Sequence, residues 1–196
     1  MFQGRKNSME KKNEIRRQVR ERKRKMCKQD IEALSREIIC HMESTKEFRE
    51  AGFLYLYVSY NQEVDTRGWI ESLLKAQRRI AVPKVVEKEI KFYELTNMAQ
   101  LRKGYQGILE PVSDICVDGE PGVMILPGLA FDKKMHRCGY GGGFYDSYLH
   151  KYRDAKIKKI GFAFSFQMYE DIPYEEHDVL LDGIITEKGY FCDGSY

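Results

Sequence analysis

The sequence has no apolar run approaching the length of a membrane span, and no N-terminal apolar segment of the secretory type. A cytoplasmic protein with no membrane partner is the expectation. Five cysteines, Cys27, Cys40, Cys116, Cys138 and Cys192, are odd in number and include no Cys-x-x-Cys. That argues for reduced thiols and against a disulfide framework or a zinc site. The histidines, His41, His136, His150 and His177, lack ligand spacing, so locally bonded or surface roles are expected of them. No internal repeat, low-complexity tract or second domain is visible in the 196 residues, a length suited to one core.

Charge of one sign is also scarce, except in one place. Residues 1–28 hold twelve Lys/Arg and three Glu, a net of +9, while the remainder carries a net of −6. The positive charge therefore belongs to one segment on a mildly acidic body.

The richest stretch runs from residue 122 to 149. Val123 to Leu126 has the length and composition of a buried strand, and Pro127-Gly128 punctuates it. Phe131-Asp132 ends that segment, and a basic turn, Lys133 to Arg137, follows. Then come Gly139, Gly141, Gly142 and Gly143, and a helical pattern through Tyr145, Tyr148, Leu149 and Tyr152. Glycines permit positive φ and close backbone approach, so successive N–H groups can turn inward around phosphate oxygens. A helix start adds open N–H groups and partial positive charge. Arg137 is a planar phosphate donor at the loop's mouth, and Asp146 could hold magnesium against a phosphate. The P-loop and dinucleotide patterns both fail, because Phe144-Tyr145 stands where Lys-Ser/Thr or a third glycine is required. A glycine-rich turn that merely joins strand to helix is the plainer alternative.

The run Leu126-Pro127-Gly128-Leu129-Ala130-Phe131-Asp132, followed by Arg137-Cys138-Gly139-Tyr140-Gly141-Gly142-Gly143-Phe144-Tyr145-Asp146, resembles the signature of 5-formyltetrahydrofolate cyclo-ligase, also called 5,10-methenyltetrahydrofolate synthetase. The resemblance extends to Lys12 and Arg16, Glu63-Val64-Asp65-Thr66, Gly107-Ile108-Leu109-Glu110-Pro111, Ile172-Pro173, His177-Asp178 and Asp182-Gly183-Ile184-Ile185-Thr186. Two departures are Cys138 where the family usually has Leu and Phe144 where it usually has Tyr.

Along the chain, residues 1–8 show no pattern and are expected to be a disordered leader or expression remnant, with a single domain over 9–196. Glu10 to Lys28 is expected to be a helix with a thin apolar stripe of Ile15, Val19 and Met26. Lys12, Arg16, Arg20 and Arg24 recur every four residues, whereas Arg22, Lys23 and Lys25 are expected to face solvent. A second helix is predicted from Asp30 to about Glu47. Phe53 to Val58 is strand-like, Ser59 to Glu63 a site-bearing loop, and Val64 to Arg79 a helix. Glu63 has a plain alternative as a carboxylate at that helix's start. Two strands, residues 80–86 and 90–95, suggest an edge hairpin. A loop-rich segment to Asp118 and strands at 123–126, 159–164 and 183–186 complete the pattern. Strands alternating with helices predict an α/β, single three-layer domain with a mostly parallel sheet and helices on both faces; the resemblance implies the NagB/RpiA/CoA transferase-like version of it.

The resemblance further implies ATP-dependent, magnesium-requiring conversion of 5-formyltetrahydrofolate to 5,10-methenyltetrahydrofolate, with ADP and phosphate released. Arg137 and Tyr145 would be catalytic. Lys12, Arg16, Arg137, Gly139, Tyr140, Gly141, Gly142, Gly143, Phe144 and Tyr145 would hold ATP. Val58, Glu63 and the Tyr140–Phe144 loop would line the folate pocket, with Asp146 and Asp182 as magnesium carboxylates. A monomer is expected. The competing class is a nucleic-acid-binding protein that tracks phosphates with its basic helix, against which stand the acidic body and the absence of a recognised module. A third class is a sugar-phosphate isomerase or acyl-transferase relative, which would need no ATP.

Overall fold

The computed structural model describes residues 2–175 and 177–192. Three helices come first: α1 (Phe2–Arg24), α2 (Lys28–Glu43) and α3 (Lys46–Glu50). Residues 2–8, expected to be disordered, are helical; extending a formed helix adds a hydrogen bond per residue without a new nucleus. Met1 lies outside the described residues. The second expected helix is divided in two. Ser44 turns its hydroxyl back onto the Cys40 carbonyl (2.8 Å), and Thr45 accepts from the Phe48 N–H (3.1 Å) to start α3. Short hydroxyl side chains compete with the helix backbone in this way.

The remaining elements follow in chain order. First are β1 (Leu54–Tyr55), α4 (Arg67–Lys75), β2 (Ile80–Val86), β3 (Glu89–Leu95), β4 (Leu101–Lys103) and β5 (Leu109–Pro111). Then come β6 (Gly122–Leu126), β7 (Ala130–Asp132), β8 (Arg137–Cys138) and α5 (Phe144–Lys151). The last are β9 (Ile157–Phe162), β10 (Met168–Tyr169), β11 (Gly183–Thr186) and β12 (Gly189–Phe191).

Seven strands form the main sheet in the order β12-β11-β9-β6-β1-β2-β3. The five inner strands are parallel, and β3 and β12 close the two edges antiparallel. The β2–β3 hairpin therefore sits at an edge, where its charges were expected to put it. Strand β12 has no signal in the sequence, because three residues after a tight turn carry no period.

Alternation along β1 explains the layers. Leu54 and Leu56 join Ile38 and Met42 of α2 and Trp69, Ile70 and Leu73 of α4 on one face. Tyr55 points the other way, to Phe92, Phe131 and the α5 residues Tyr148 and Leu149. Burial on both faces makes the inner strands read as continuous apolar runs.

The segment after Pro127 is more ordered than a loop. Strands β7 and β8 form a hairpin, joined by β10 into a small second sheet. Its turn is held by Asp132, fully buried, whose carboxylate accepts from the N–H groups of Lys134 (2.9 Å), His136 (3.0 Å) and Ile172 (3.0 Å) and contacts His136 Nδ1 at 3.0 Å. An aspartate satisfied this fully fixes the turn and the departure of β8 towards the glycines.

Candidate active site

Two loops build the candidate site, one from the carboxyl end of the inner strand β1 and one from β8 of the small sheet. The first follows β1. Leu56 still donates to Ala81 O (2.9 Å), but beyond it the backbone bonds to side chains instead of a neighbouring strand. Thr66 Oγ1 donates to Tyr57 O (2.7 Å) and accepts from Ser59 N–H (3.0 Å). Asp65 accepts from the Ser59 hydroxyl (2.6 Å), and Arg67 donates twice to Ser59 O (3.0 and 2.7 Å). These bonds use Asp65 and Thr66 outside the helix, so α4 begins at Arg67 rather than Val64. Glu63 is therefore not the start of a helix. Its carboxylate accepts from Tyr60 N–H (2.9 Å), and the Tyr140 hydroxyl favours its ionised form.

The second loop is the glycine run after β8. Gly141 (φ 111) and Gly143 (φ 66) occupy backbone conformations that a side chain would strain. Gly143 is the cap of α5, and no side chain satisfies that helix's first turn. Its N–H groups are left facing the loop. Arg137, 8% exposed, donates through Nη2 to Asp146 Oδ2 (2.8 Å) and through Nη1 to Pro127 O (3.3 Å). The other Asp146 oxygen accepts from Val179 N–H (3.3 Å). So the arginine and aspartate that flank the loop in sequence form one pair across it.

Helix α1 closes the mouth. Arg16 Nε donates to Gly139 O (2.9 Å), and its guanidinium carbon lies 4.0 Å from where a Cβ on Gly141 would stand. Arg22 Nη1 donates to Phe166 O (3.5 Å). Lys12 is buried in an ion pair with Asp178 (2.7 Å) and, at 3.4 Å, Glu175. It fastens α1 to the segment before β11.

Lys23 corrects the sequence reading. Expected to face solvent, it is 6% exposed. The physical reason is helix geometry: eleven residues make three turns plus only about 20°, so Lys23 lies almost directly in line with Lys12. Counting in fours drifts round the helix and selects Arg20 and Arg24 instead. Arg22 and Lys25 are exposed, as expected.

The enclosure shows in the titrating groups. Burial raises the Glu63 carboxyl, and the Tyr140 hydroxyl, the Tyr60 N–H, Lys23 and Arg67 partly restore its charge. Burial, with Glu63 beside it, raises the phenol of Tyr140 well above its ordinary range, although 45% of that residue is exposed. Tyr145 is raised by burial and by Glu63 and lowered by Arg137, whose guanidinium lies 5.8 Å from its ring. These phenols are donors at neutral pH, not bases. Burial pushes the Lys23 ammonium down to about 8, with Glu63 opposing.

That last shift has a sign that can be tested. The folded lysine holds its proton less tightly than the unfolded one, so the charged form costs stability below pH 8. The cost fades as the pH rises from about 8 to 10.5. Lys23→Met is expected to be more stable than the wild type at pH 7 by roughly 3 kcal/mol. In urea unfolding that gap should narrow between pH 8 and 10; a gap independent of pH would contradict the assignment.

The other expected site residues divide. Val58 is 3% exposed and packs into the core with Tyr57 and Val64. Phe144 meets the exposed Tyr105 edge-on at 6.3 Å, an aromatic partner that the sequence does not single out. Asp182 stands apart. It precedes the amino end of β11, whereas Glu63 follows the carboxyl end of parallel β1. It accepts from Lys159 N–H (2.7 Å), pairs with Lys159 Nζ (2.9 Å) and lines a cavity of about 420 Å³ with Lys133, Lys158 and Tyr190. Both carboxylates proposed for magnesium are engaged by protein donors in separate places. Among the described residues no three His, Cys, Asp or Glu converge to hold a metal. Asp146 and Asp182 therefore do not fit a shared magnesium site. Exposed Arg17 of α1 pairs with Glu14 and Glu21 on the same helix.

The model of the 5-formyltetrahydrofolate cyclo-ligase family matches residues 8–187. The 5-formyltetrahydrofolate cyclo-ligase of Escherichia coli K12 is 28% identical over 174 residues, 86% of this chain and 96% of its own. The mitochondrial 5-formyltetrahydrofolate cyclo-ligase of Arabidopsis thaliana is 32% identical over 170 residues, 72% of this chain; the match spans 61% of that protein's length. Among solved structures, the 5,10-methenyltetrahydrofolate synthetase of Aquifex aeolicus superposes with a TM-score of 0.83 at 32% identity, covering 94% of each chain. That of Mycoplasma pneumoniae gives 0.71 at 25% identity, covering 90% of this chain and 98% of its own. No helix among the described residues is long and apolar enough to cross a membrane.

Proposed function

The chain belongs to the 5-formyltetrahydrofolate cyclo-ligase family and is an enzyme of that kind; from that premise we propose that it closes 5-formyltetrahydrofolate to 5,10-methenyltetrahydrofolate with ATP as phosphoryl donor. The observation that carries the ATP half is the mouth itself. The Arg137–Asp146 pair flanks the glycine loop, Arg16 donates into that loop at Gly139 O, the helix behind it starts without a side-chain cap, and Glu63 acts on the Tyr140 phenol.

In this scheme the formyl oxygen attacks the γ-phosphorus, the bond to ADP breaks, and the formyl carbon becomes electrophilic. N10 adds to that carbon, loses its proton, and phosphate departs with the former formyl oxygen. An amide oxygen is a poor leaving group and phosphorylation makes it a good one. The protein's share is alignment and charge stabilisation. The glycine-loop N–H groups and the α5 start would receive phosphate oxygens, with Arg137 and Arg16 as charged donors. Tyr145, protonated between Arg137 and Glu63, would donate near the transferred group. Glu63 would accept the paired N–H groups of the pterin edge, with Val58 behind the pocket and Phe144 and Tyr140 beside the ring. Lys12 would act through the Asp178 pair that seats α1, rather than on ATP directly. Magnesium would arrive with the nucleotide; no step is drawn through a protein-held ion. The test is near-ultraviolet absorbance of the methenyl product, with ADP formed in equal amount. Product formation at the same rate without nucleotide would refute the proposal.

A further inference from the structure

Asp178 enters that scheme only as the partner of Lys12, yet contacts from two helices converge around it. Its side chain is 16% exposed, and Oδ2 accepts from both Lys12 Nζ (2.7 Å) and Glu175 N–H (2.8 Å). The next residue, Val179, donates its N–H to Asp146 Oδ1 (3.3 Å), and the other oxygen of Asp146 holds Arg137 at 2.8 Å. One residue earlier, the His177 carbonyl lies 2.7 Å from His150 Nε2 of α5. Three consecutive residues outside any helix or strand thus touch α1 through a side chain and α5 through the backbone.

Those two helices supply the phosphate side of the site. Lys12 lies about one turn before Arg16 on α1, and Arg16 Nε reaches Gly139 O at 2.9 Å. Beside them Ile15 packs on a small apolar patch of Ala130, Cys138 and Ile172. Further along, Arg22 reaches Phe166 O only at 3.5 Å. Among the described residues the Lys12–Asp178 pair is therefore the shortest polar tie between α1 and the rest of the protein. A buried ion pair adds little net stability over an apolar replacement, but it fixes where its partners stand.

We propose that Asp178 is a positioning residue for the nucleotide half of the reaction. Its carboxylate sets α1, and with it Arg16, over the glycine loop. Its neighbour Val179 sets Asp146, and so the aim of Arg137. The inference rests on the ATP reading above and places Asp178 on neither substrate.

The experiment measures equilibrium binding of magnesium–ATP and of 5-formyltetrahydrofolate, with steady-state kinetics, on full-length proteins. These are the wild type, Asp178→Asn, Asp178→Ala, Arg16→Ala and the double variant Arg16→Ala/Asp178→Asn. Asparagine keeps an acceptor for Glu175 N–H but loses the charge that holds Lys12. It should weaken ATP binding roughly 10- to 100-fold, the value of one charged donor to phosphate, with kcat at saturating ATP nearly kept. In the Arg16→Ala background the same change should cost no more than about twofold, because the donor it positions is gone. Asp178→Ala also frees the turn beside Val179, so kcat should fall together with ATP affinity. Folate affinity should hold in every variant. A merely structural pair would lower the melting temperature and affect the two ligands alike. Unchanged ATP affinity in Asp178→Asn, equal losses of ATP and folate, or losses that multiply with Arg16→Ala overturn the inference and leave the functional reading standing. If Asp178→Ala does not fold, the near-isosteric Asp178→Asn still decides the question. A wild type that binds no ATP overturns both.

Discussion

Arg137→Ala is expected to lower kcat/KM by about a thousandfold, the largest single effect in the protein. The side chain makes a buried contact to Pro127 O and a partly buried one to Asp146. Truncation removes a charged donor from the phosphate side and leaves the Asp146 carboxylate, 20% exposed, without its cation. Breaking such a pair costs roughly 3–5 kcal/mol, part of it in the placement of the loop that Arg137 holds. Arg137→Lys restores the charge but cannot span both partners, so it should recover only a fraction of the activity. Steady-state kinetics with melting temperatures on the same proteins decide the matter. Undiminished kcat/KM in Arg137→Ala would remove the arginine from the mechanism. A fall explained wholly by unfolding would reduce it to a structural pair.

Glu63→Gln should act on the other half of the mouth. Glutamine keeps the shape but offers one acceptor and one donor where the ring is expected to present two donors. Folate affinity should drop by roughly 10- to 100-fold, the value of a charged hydrogen bond, while ATP affinity is nearly unchanged. The alternative, a carboxylate that only braces its own turn through Tyr60 N–H, predicts the reverse: intact folate affinity and a lower melting temperature. Titration of both ligands against one variant separates the two.

The parts of this protein that the sequence discloses are those set by local periodicity or by a compact motif. Inner strands such as Gly122–Leu126 and Gly183–Thr186 are short apolar runs between turns. The glycine loop shows itself because its backbone needs the glycines. What stayed hidden depends on partners distant in the chain. The β7–β8 hairpin hangs on Asp132 bonding to Ile172, forty residues away. Glu63 and Tyr140 lie on loops far apart in the chain, and the sequence cannot place the one against the other. Asp182 looks like a metal carboxylate by position in a motif, but the topology puts it at the other end of the sheet, with Lys159. Lys23 was available to a more careful helical count. A three-turn spacing puts a lysine in line with Lys12, whereas a count in fours leaves it off that face.

The most direct test of the shared mouth is an isotope experiment. 5-Formyltetrahydrofolate carrying ¹⁸O in the formyl group is converted in a single turnover with ATP, and the released phosphate is analysed by mass spectrometry. If the two loops bring the formyl oxygen to the γ-phosphorus, each methenyl product formed should leave one ¹⁸O in phosphate, with one ADP. Methenyl product formed without ATP, or phosphate free of label while the ¹⁸O passes to water, would contradict it.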